Sequence, residues 1–122
     1  MNLTSRPLAG HSILIVEDEP LIALEVHAAF RATGASIVSA ANTREALRTI
    51  SLPDLSAAVV DINLGGGDCS LVCKRLSERG IPFVFYTGDA RADILRQWPA
   101  APVLTKLADK ERVVRTVAGI LR

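Results

Sequence analysis

The sequence predicts an α/β protein: a three-layer, doubly wound (βα)5 domain built on a five-stranded parallel sheet. Three observations lead there. Short apolar runs rich in β-branched residues alternate with longer amphipathic stretches along the whole chain, and such alternation demands crossover connections and hence parallel strands. The apolar runs are nearly continuous rather than alternating, as in strands covered on both faces. The chain has 122 residues, of which 49% are hydrophobic and 22% charged, enough for one packed core and little else.

The first run, Ile13 to Val16, reads as a strand buried on both faces. Glu19 to Thr33 follows as a helix, with Pro20 suited to its first turn and Gly34 to its exit. Ile37 and Val38 centre a second, weaker strand. Asn42 and Thr43 offer a cap for a helix through Ile50, with Ala46, Leu47 and Ile50 on one side. Leu55 to Val60 is the third strand and closes on Asp61. Gly65, Gly66 and Gly67 form a loop, and Asp68 can cap a helix reaching Arg79, where Gly80 stops it. Ile81 to Tyr86 is the fourth strand, ending at Thr87 and Gly88, and Asp89 to Trp98 a short helix punctuated by Pro99 and Pro102. Val103 and Leu104 centre the fifth strand. Asp109 to Leu121 is the last helix, carrying Val113, Val114, Val117, Ile120 and Leu121 on its apolar side. Residues 1–10 are expected to be a flexible N-terminal tail and residues 11–122 one domain, without internal repeat or linker.

Composition narrows the function. Fourteen basic residues against thirteen acidic ones give a net charge near +1, which argues against a basic nucleic-acid or membrane patch. Phe30, Phe83, Phe85, Tyr86 and Trp98 are too few aromatics for a base-stacking surface. Cys69 and Cys73 make neither a disulfide framework nor a zinc knuckle and are read as small core residues of a reducing, cytoplasmic protein. No apolar run approaches a membrane span, and no signal-peptide h-region precedes His11. His11 and His27 are read as surface residues. The glycine run is not a phosphate-binding P-loop, because no Gly-Lys-Ser/Thr follows it.

In doubly wound sheets ligands sit beyond the carboxyl ends of the strands. Strand one ends in Glu17, Asp18 and Glu19, strand three in Asp61, strand four in Thr87, and strand five in Thr105 and Lys106. Neighbouring strands would gather Glu17, Asp18, Asp61, Thr87 and Lys106 into one cleft. Packed carboxylates repel unless compensated, and a hard divalent cation such as magnesium takes oxygen ligands and keeps several waters. A cation, an ammonium and a hydroxyl together suit a phosphoryl group, and a central carboxylate can itself be the nucleophile, giving an acyl phosphate.

The runs Ile13 to Glu19, Val59 to Leu64, Phe83 to Gly88 and Val103 to Lys106 resemble, in order and rough spacing, the receiver domain of bacterial two-component response regulators, over about residues 11 to 122. The resemblance implies a flavodoxin-like strand order 2-1-3-4-5 and a signalling module rather than a conventional enzyme. It implies that Asp61 accepts a phosphoryl group from the phosphohistidine of a sensor histidine kinase or a histidine phosphotransfer protein. It implies a Mg2+ (or Mn2+) ion held by Glu17, Asp18, Asp61 and the backbone carbonyl of Asn63. Lys106 would contact the phosphoryl group, and Thr87 would hydrogen-bond it in the active state. A downstream protein target and a homodimer through the last two helices are further implied partners. Arg91, Arg96, Trp98, Val103, Arg112 and Arg115 form the expected output face.

Two departures stand out. Val103 occupies the position of the family's aromatic switch residue, so the usual threonine-to-aromatic coupling is not expected in that form. Leu107 follows the lysine where proline is usual, so the Lys106–Leu107 bond is expected to be trans, a cis bond there costing about 2.5–4 kcal/mol.

Three alternatives remain open at this level. The acids beside the strands can be helix caps favoured by the helix dipole. The chain can be a receiver-like scaffold that binds a partner without phosphorylation. It can be a magnesium-dependent phosphatase of haloacid-dehalogenase type, although that class places a second acid two residues after its nucleophile, where Asn63 stands here, and puts the nucleophile after the first strand. With five βα units consuming the chain, no effector domain such as a helix-turn-helix is expected within it.

Overall fold

The computed structural model describes residues 6–121. In chain order the elements are β1 (Ser12–Val16), α1 (Pro20–Arg31), β2 (Ser36–Ala40), α2 (Thr43–Ile50), β3 (Ala57–Val60), β4 (Asn63–Leu64), β5 (Gly67–Asp68), α3 (Ser70–Glu78), β6 (Phe83–Thr87), α4 (Ala92–Leu95), β7 (Val103–Thr105) and α5 (Lys110–Ile120). Five strands form one sheet in the order β2-β1-β3-β6-β7, with every pairing parallel. Leaving out the β4–β5 hairpin, this is the expected order 2-1-3-4-5.

Residue alternation divides the core into two layers. Leu14, Val16, Ala58, Val60 and Phe85 face the side covered by α2, α3 and Ile94 of α4. Ile13, Ile15, Val59, Val84 and Tyr86 face the side covered by α1 and α5, through Val26, Phe30, Val113 and Val117. Consecutive residues of each strand therefore serve opposite layers, and the apolar runs are continuous for that reason. Pro20 starts α1. Asn42 caps α2 by accepting from Glu45 N–H at 2.9 Å, and Glu45 Oε1 accepts from Ala41 N–H at 2.8 Å, a reciprocal N-terminal closure. Asp109 caps α5 through Arg112 N–H at 2.8 Å.

Four expectations change. Of the expected N-terminal tail, residues 1–5 lie outside the described residues, and residues 6–10 are tied to the domain. Leu8 is only 3% exposed, joins the α1–α5 layer, and donates its N–H to Thr33 O at 3.1 Å; burying one leucine offsets part of the cost of ordering this turn. The fourth helix is one turn, Ala92–Leu95, rather than a helix from Asp89 to Trp98. Asp89 is held back by Thr87, and beyond Leu95 the backbone bonds run from Gln97 to Ile94 and from Trp98 to Leu95, the three-residue spacing of a tightened turn. The glycine loop is a hairpin, with Gly65 and Gly66 turning at φ of +20° and +81°, backbone that glycine adopts without strain. Asp68 does meet the start of α3, accepting from Ser70 N–H at 2.8 Å, although the capping position itself is Cys69. No cis peptide bond occurs among the described residues, so Lys106–Leu107 is trans as expected.

Candidate functional site

The site lies where the sheet ladder runs one residue past its strands. Glu17 N–H donates to Ala40 O and Asp61 N–H to Val16 O, both at 3.0 Å. These bonds fix the two acids side by side at the ends of β1 and β3. Lys106 N–H donates to Thr87 O at 3.0 Å, which extends the β6–β7 pairing and aims the lysine back over the sheet. The positions are backbone-determined, so the side chains arrive preorganised.

Lys106 Nζ lies 2.8 Å from Glu17 Oε1, 2.9 Å from Asp61 Oδ2 and 3.4 Å from Glu19 Oε1. Glu17 and Asp61 are buried, and Glu19 is exposed. The second oxygen of Glu17 accepts from Glu19 N–H at 3.2 Å, and Asp61 Oδ1 accepts a long bond, 3.4 Å, from Asn63 N–H. Asp18 reaches the hairpin, where its Oδ2 accepts from Gly65 N–H at 2.9 Å. Glu17, Asp18 and Asp61 each offer one carboxylate oxygen, and these oxygens all lie within 4.8 Å of one another.

Burial pushes the Glu17 carboxyl up from 4.5 to about 7; the neighbouring Asp61 charge adds to this, and the Lys106 hydrogen bond opposes it. For Lys106 burial pulls downward, but its bonds to Glu17 and Asp61 outweigh it and hold the ammonium above its ordinary range. One cation among crowded acids thus leaves negative charge uncompensated. Three clustered carboxylates, without sulfur or imidazole, are the donor set of a hard divalent cation. The two cysteines are buried in the α2–α3 layer, their Sγ atoms 3.7 Å apart, and the Cys73 thiol is pushed far up by its bond to Cys69 and by burial, so Cys73 is not a reactive thiolate.

Of the residues expected here, Glu17, Asp18, Asp61 and Lys106 are brought together. Asn63 sits on the rim, with its backbone N–H toward Asp61 and its side chain donating to Asp89 Oδ2 at 3.5 Å. Thr87 is buried, and its hydroxyl turns to its own loop, donating to Asp89 O and accepting from Asp89 N–H, each at 3.2 Å. The cleft is lined by Asp18, Glu19, Asp61, Asn63, the three glycines, Gly88, Asp89 and Lys106. Sequence reasoning missed Glu19 and Asp89 as cleft residues, and Gly65 as the donor to Asp18. The acid directly after Glu17-Asp18 was a usable signal for Glu19; a backbone donor leaves none.

The residues expected on an output face lie on α4, β7 and α5 and in the loops beside them. Arg91 sits before α4 and pairs with Asp93 at 2.8 Å and Asp68 at 3.6 Å. Arg96 closes α4, Arg112 lies in the first turn of α5, and Val103 on β7 is 39% exposed. Trp98 lies at the opposite end of the sheet, beside Pro82, Phe83 and Ile120, and Arg115 borders a groove with Pro7 and Ala29.

A parallel doubly wound sheet that gathers three acids and one lysine beyond its carboxyl ends defines a class of small α/β domains whose work is done at that edge. The sequence matches the response regulator receiver domain family over residues 13–118, and the chain belongs to that family. The family is that of two-component signalling, and its members are signalling modules rather than classical enzymes. The fold agrees with solved receivers. A CheY-like receiver domain protein from Methanospirillum hungatei is 21% identical, with 89% of this chain and 91% of that one covered and a TM-score of 0.80. A response regulator receiver protein from Sinorhizobium medicae is 20% identical, with 90% and 93% covered and a TM-score of 0.81. The receiver domain of a sensor histidine kinase from Pseudomonas aeruginosa, solved with a magnesium ion coordinated in its active-site cleft, is 23% identical, with 89% and 95% covered and a TM-score of 0.75. No curated protein matches the sequence. No helix among the described residues is long and apolar enough to cross a membrane.

Proposed function

We propose that this receiver takes a phosphoryl group onto Asp61 from the phosphohistidine of a sensor histidine kinase or a histidine phosphotransfer protein, in a reaction that needs Mg2+ or Mn2+, and thereby controls a protein partner in the cytoplasm. The observation that carries this reading is the bridge from Lys106 to Asp61 and Glu17 at 2.9 and 2.8 Å, with Asp18 in the same cluster.

Glu17, Asp18 and Asp61 would hold the metal, with the backbone carbonyl of Asn63 as a fourth protein ligand. When bound, the ion supplies charge neutralisation for an incoming phosphoryl group. Asp61 is oriented by its ladder bond and by Lys106, so that one carboxylate oxygen attacks phosphorus. The new P–O bond forms as the P–N bond to the donor imidazole breaks, and the electron pair leaves on that nitrogen. Lys106, 2.9 Å from Asp61 Oδ2, would stabilise the charge of the arriving group. The added charge, about 1.5–2 by analogy with other phosphorylated side chains, would draw the Thr87 hydroxyl away from Asp89 and move the loop before α4. Arg91 in that loop, with Arg96, Val103 and Arg112 on the elements that follow, forms the proposed output surface, through which a target or a second copy would read the change.

The test is incubation with Mg2+ and a small phosphodonor, followed by intact mass measurement. A phosphoryl adduct that is absent without Mg2+ and absent in Asp61→Asn is the expected result. An adduct that persists in Asp61→Asn, or none from phosphoramidate even at high donor concentration, overturns the reading.

A further inference from the structure

Glu19 is placed oddly for the residue that precedes a helix. It occupies the capping position of α1, yet its side chain makes no cap. The carboxylate instead reaches over the cleft to Lys106 Nζ, 3.4 Å away, while remaining 63% exposed. Among the described residues Lys106 is the one cationic side chain lining the cleft, and it already serves Glu17 and Asp61. Glu19 thus adds a third carboxylate to one ammonium and sets a negative charge at the mouth, with Asp89 on the rim opposite Asn63.

We propose that Glu19 determines phosphodonor specificity: its carboxylate at the mouth disfavours free anionic acyl phosphates, so that the site takes its phosphoryl group from a docked protein. The proposal rests on the phosphoacceptor reading of Asp61. A free donor must enter against the local field with only its own charge to recommend it, and clefts lined by one sign of charge repel ligands of that sign. A phosphohistidine is carried in by the contacts of the protein bearing it, so binding energy remote from the reacting atoms overcomes the same repulsion. Glu19 also competes for the ammonium that an incoming phosphoryl oxygen needs. In every transfer the balance is the same: the bond from Asp61 oxygen to phosphorus forms, the bond to the leaving group breaks, and that group departs with the electron pair, as the imidazole from phosphohistidine, as acetate from acetyl phosphate or as ammonia from N-protonated phosphoramidate.

The experiment compares initial phosphorylation rates of the wild type, Glu19→Gln and Glu25→Gln with two donors, at low and high ionic strength and saturating Mg2+. Acetyl phosphate is a dianion near neutral pH; phosphoramidate, with a protonated nitrogen, carries one less net charge. Glu25→Gln removes the same charge from the same helix but away from the cleft. Glu19→Gln is expected to raise the acetyl phosphate rate about three- to tenfold at low salt, the scale of one charge acting on a dianion over several ångströms of water. The gain should shrink at high salt and be smaller with phosphoramidate, and Glu25→Gln should show none of it. A Glu19→Gln effect equal for both donors, insensitive to salt, or absent overturns the proposal while leaving the phosphoacceptor reading standing. Failure of every protein to take a phosphoryl group from either donor overturns both.

Discussion

The ammonium of Lys106 lies 2.9 Å from the Asp61 carboxylate across 45 residues of chain, and the same nitrogen is 2.8 Å from Glu17. Both acids are buried, so the lysine holds the carboxyl edge of the sheet together where a metal would otherwise be needed. Removing one partner of a buried charge cluster leaves the others uncompensated. Lys106→Met should therefore lose about 3 kcal/mol of stability in chelator, measured by urea denaturation. Added Mg2+ should recover more stability in the variant than in the wild type, because the ion no longer competes with the ammonium. Equal stability of the two proteins in chelator would contradict this account of the lysine.

Glu17 gives a pH dependence of definite sign. Its carboxyl titrates near 7 in the fold against 4.5 ordinarily, chiefly through burial. Between those values the folded state binds the extra proton, so this group's contribution to the stability of the metal-free protein falls as pH rises from about 4.5 to about 7. Glu17→Gln removes that slope. In chelator, thermal melts should find the variant more stable than the wild type at pH 8, with the gap closing at pH 5. A gap that widens toward pH 5 would reverse the assignment.

The start of α3 depends on Asp68, which accepts Ser70 N–H and faces Arg91. These contacts lower its carboxyl below the ordinary range, the bonds to Ser70 first among them. The stabilisation is thus present above about pH 4 and lost as pH falls further. Asp68→Ala should cost about 1 kcal/mol at pH 7, as loss of a helix cap does, with the difference from wild type shrinking near pH 3. Arg91→Ala, which removes only exposed pairing, should cost less than Asp68→Ala.

Leu8 ties the N-terminal segment to the α1–α5 layer. Leu8→Ala should cost about 2–3 kcal/mol in equilibrium unfolding, a penalty that a loose tail would not show. Amide exchange should also report protection at the Leu8 N–H through its bond to Thr33 O.

The order of βα units was legible because strand burial and helix amphipathicity are written in local residue spacing, and Ile13 to Val16 or Val113 to Leu121 need no partner to be recognised. The identity of Asp61 and Lys106 was legible for a related reason, since polar residues that end apolar strands fall on one edge of a doubly wound sheet. Leu8 was not, because a single leucine in a polar segment carries no period. The hairpin at Gly65 and Gly66 and the one-turn α4 were not, because each is set by bonds to groups distant in sequence or by a loop that competes with helix. Local residue pattern settles the fold class and the set of acids at the strand ends. The tertiary structure alone decided that one lysine serves Glu17, Asp61 and Glu19 together, that Asp18 is held by a backbone N–H, and that the Thr87 hydroxyl faces Asp89. Those are distances of a few ångströms between strand ends, fixed by sheet order and twist, to which residue spacing along the chain is blind.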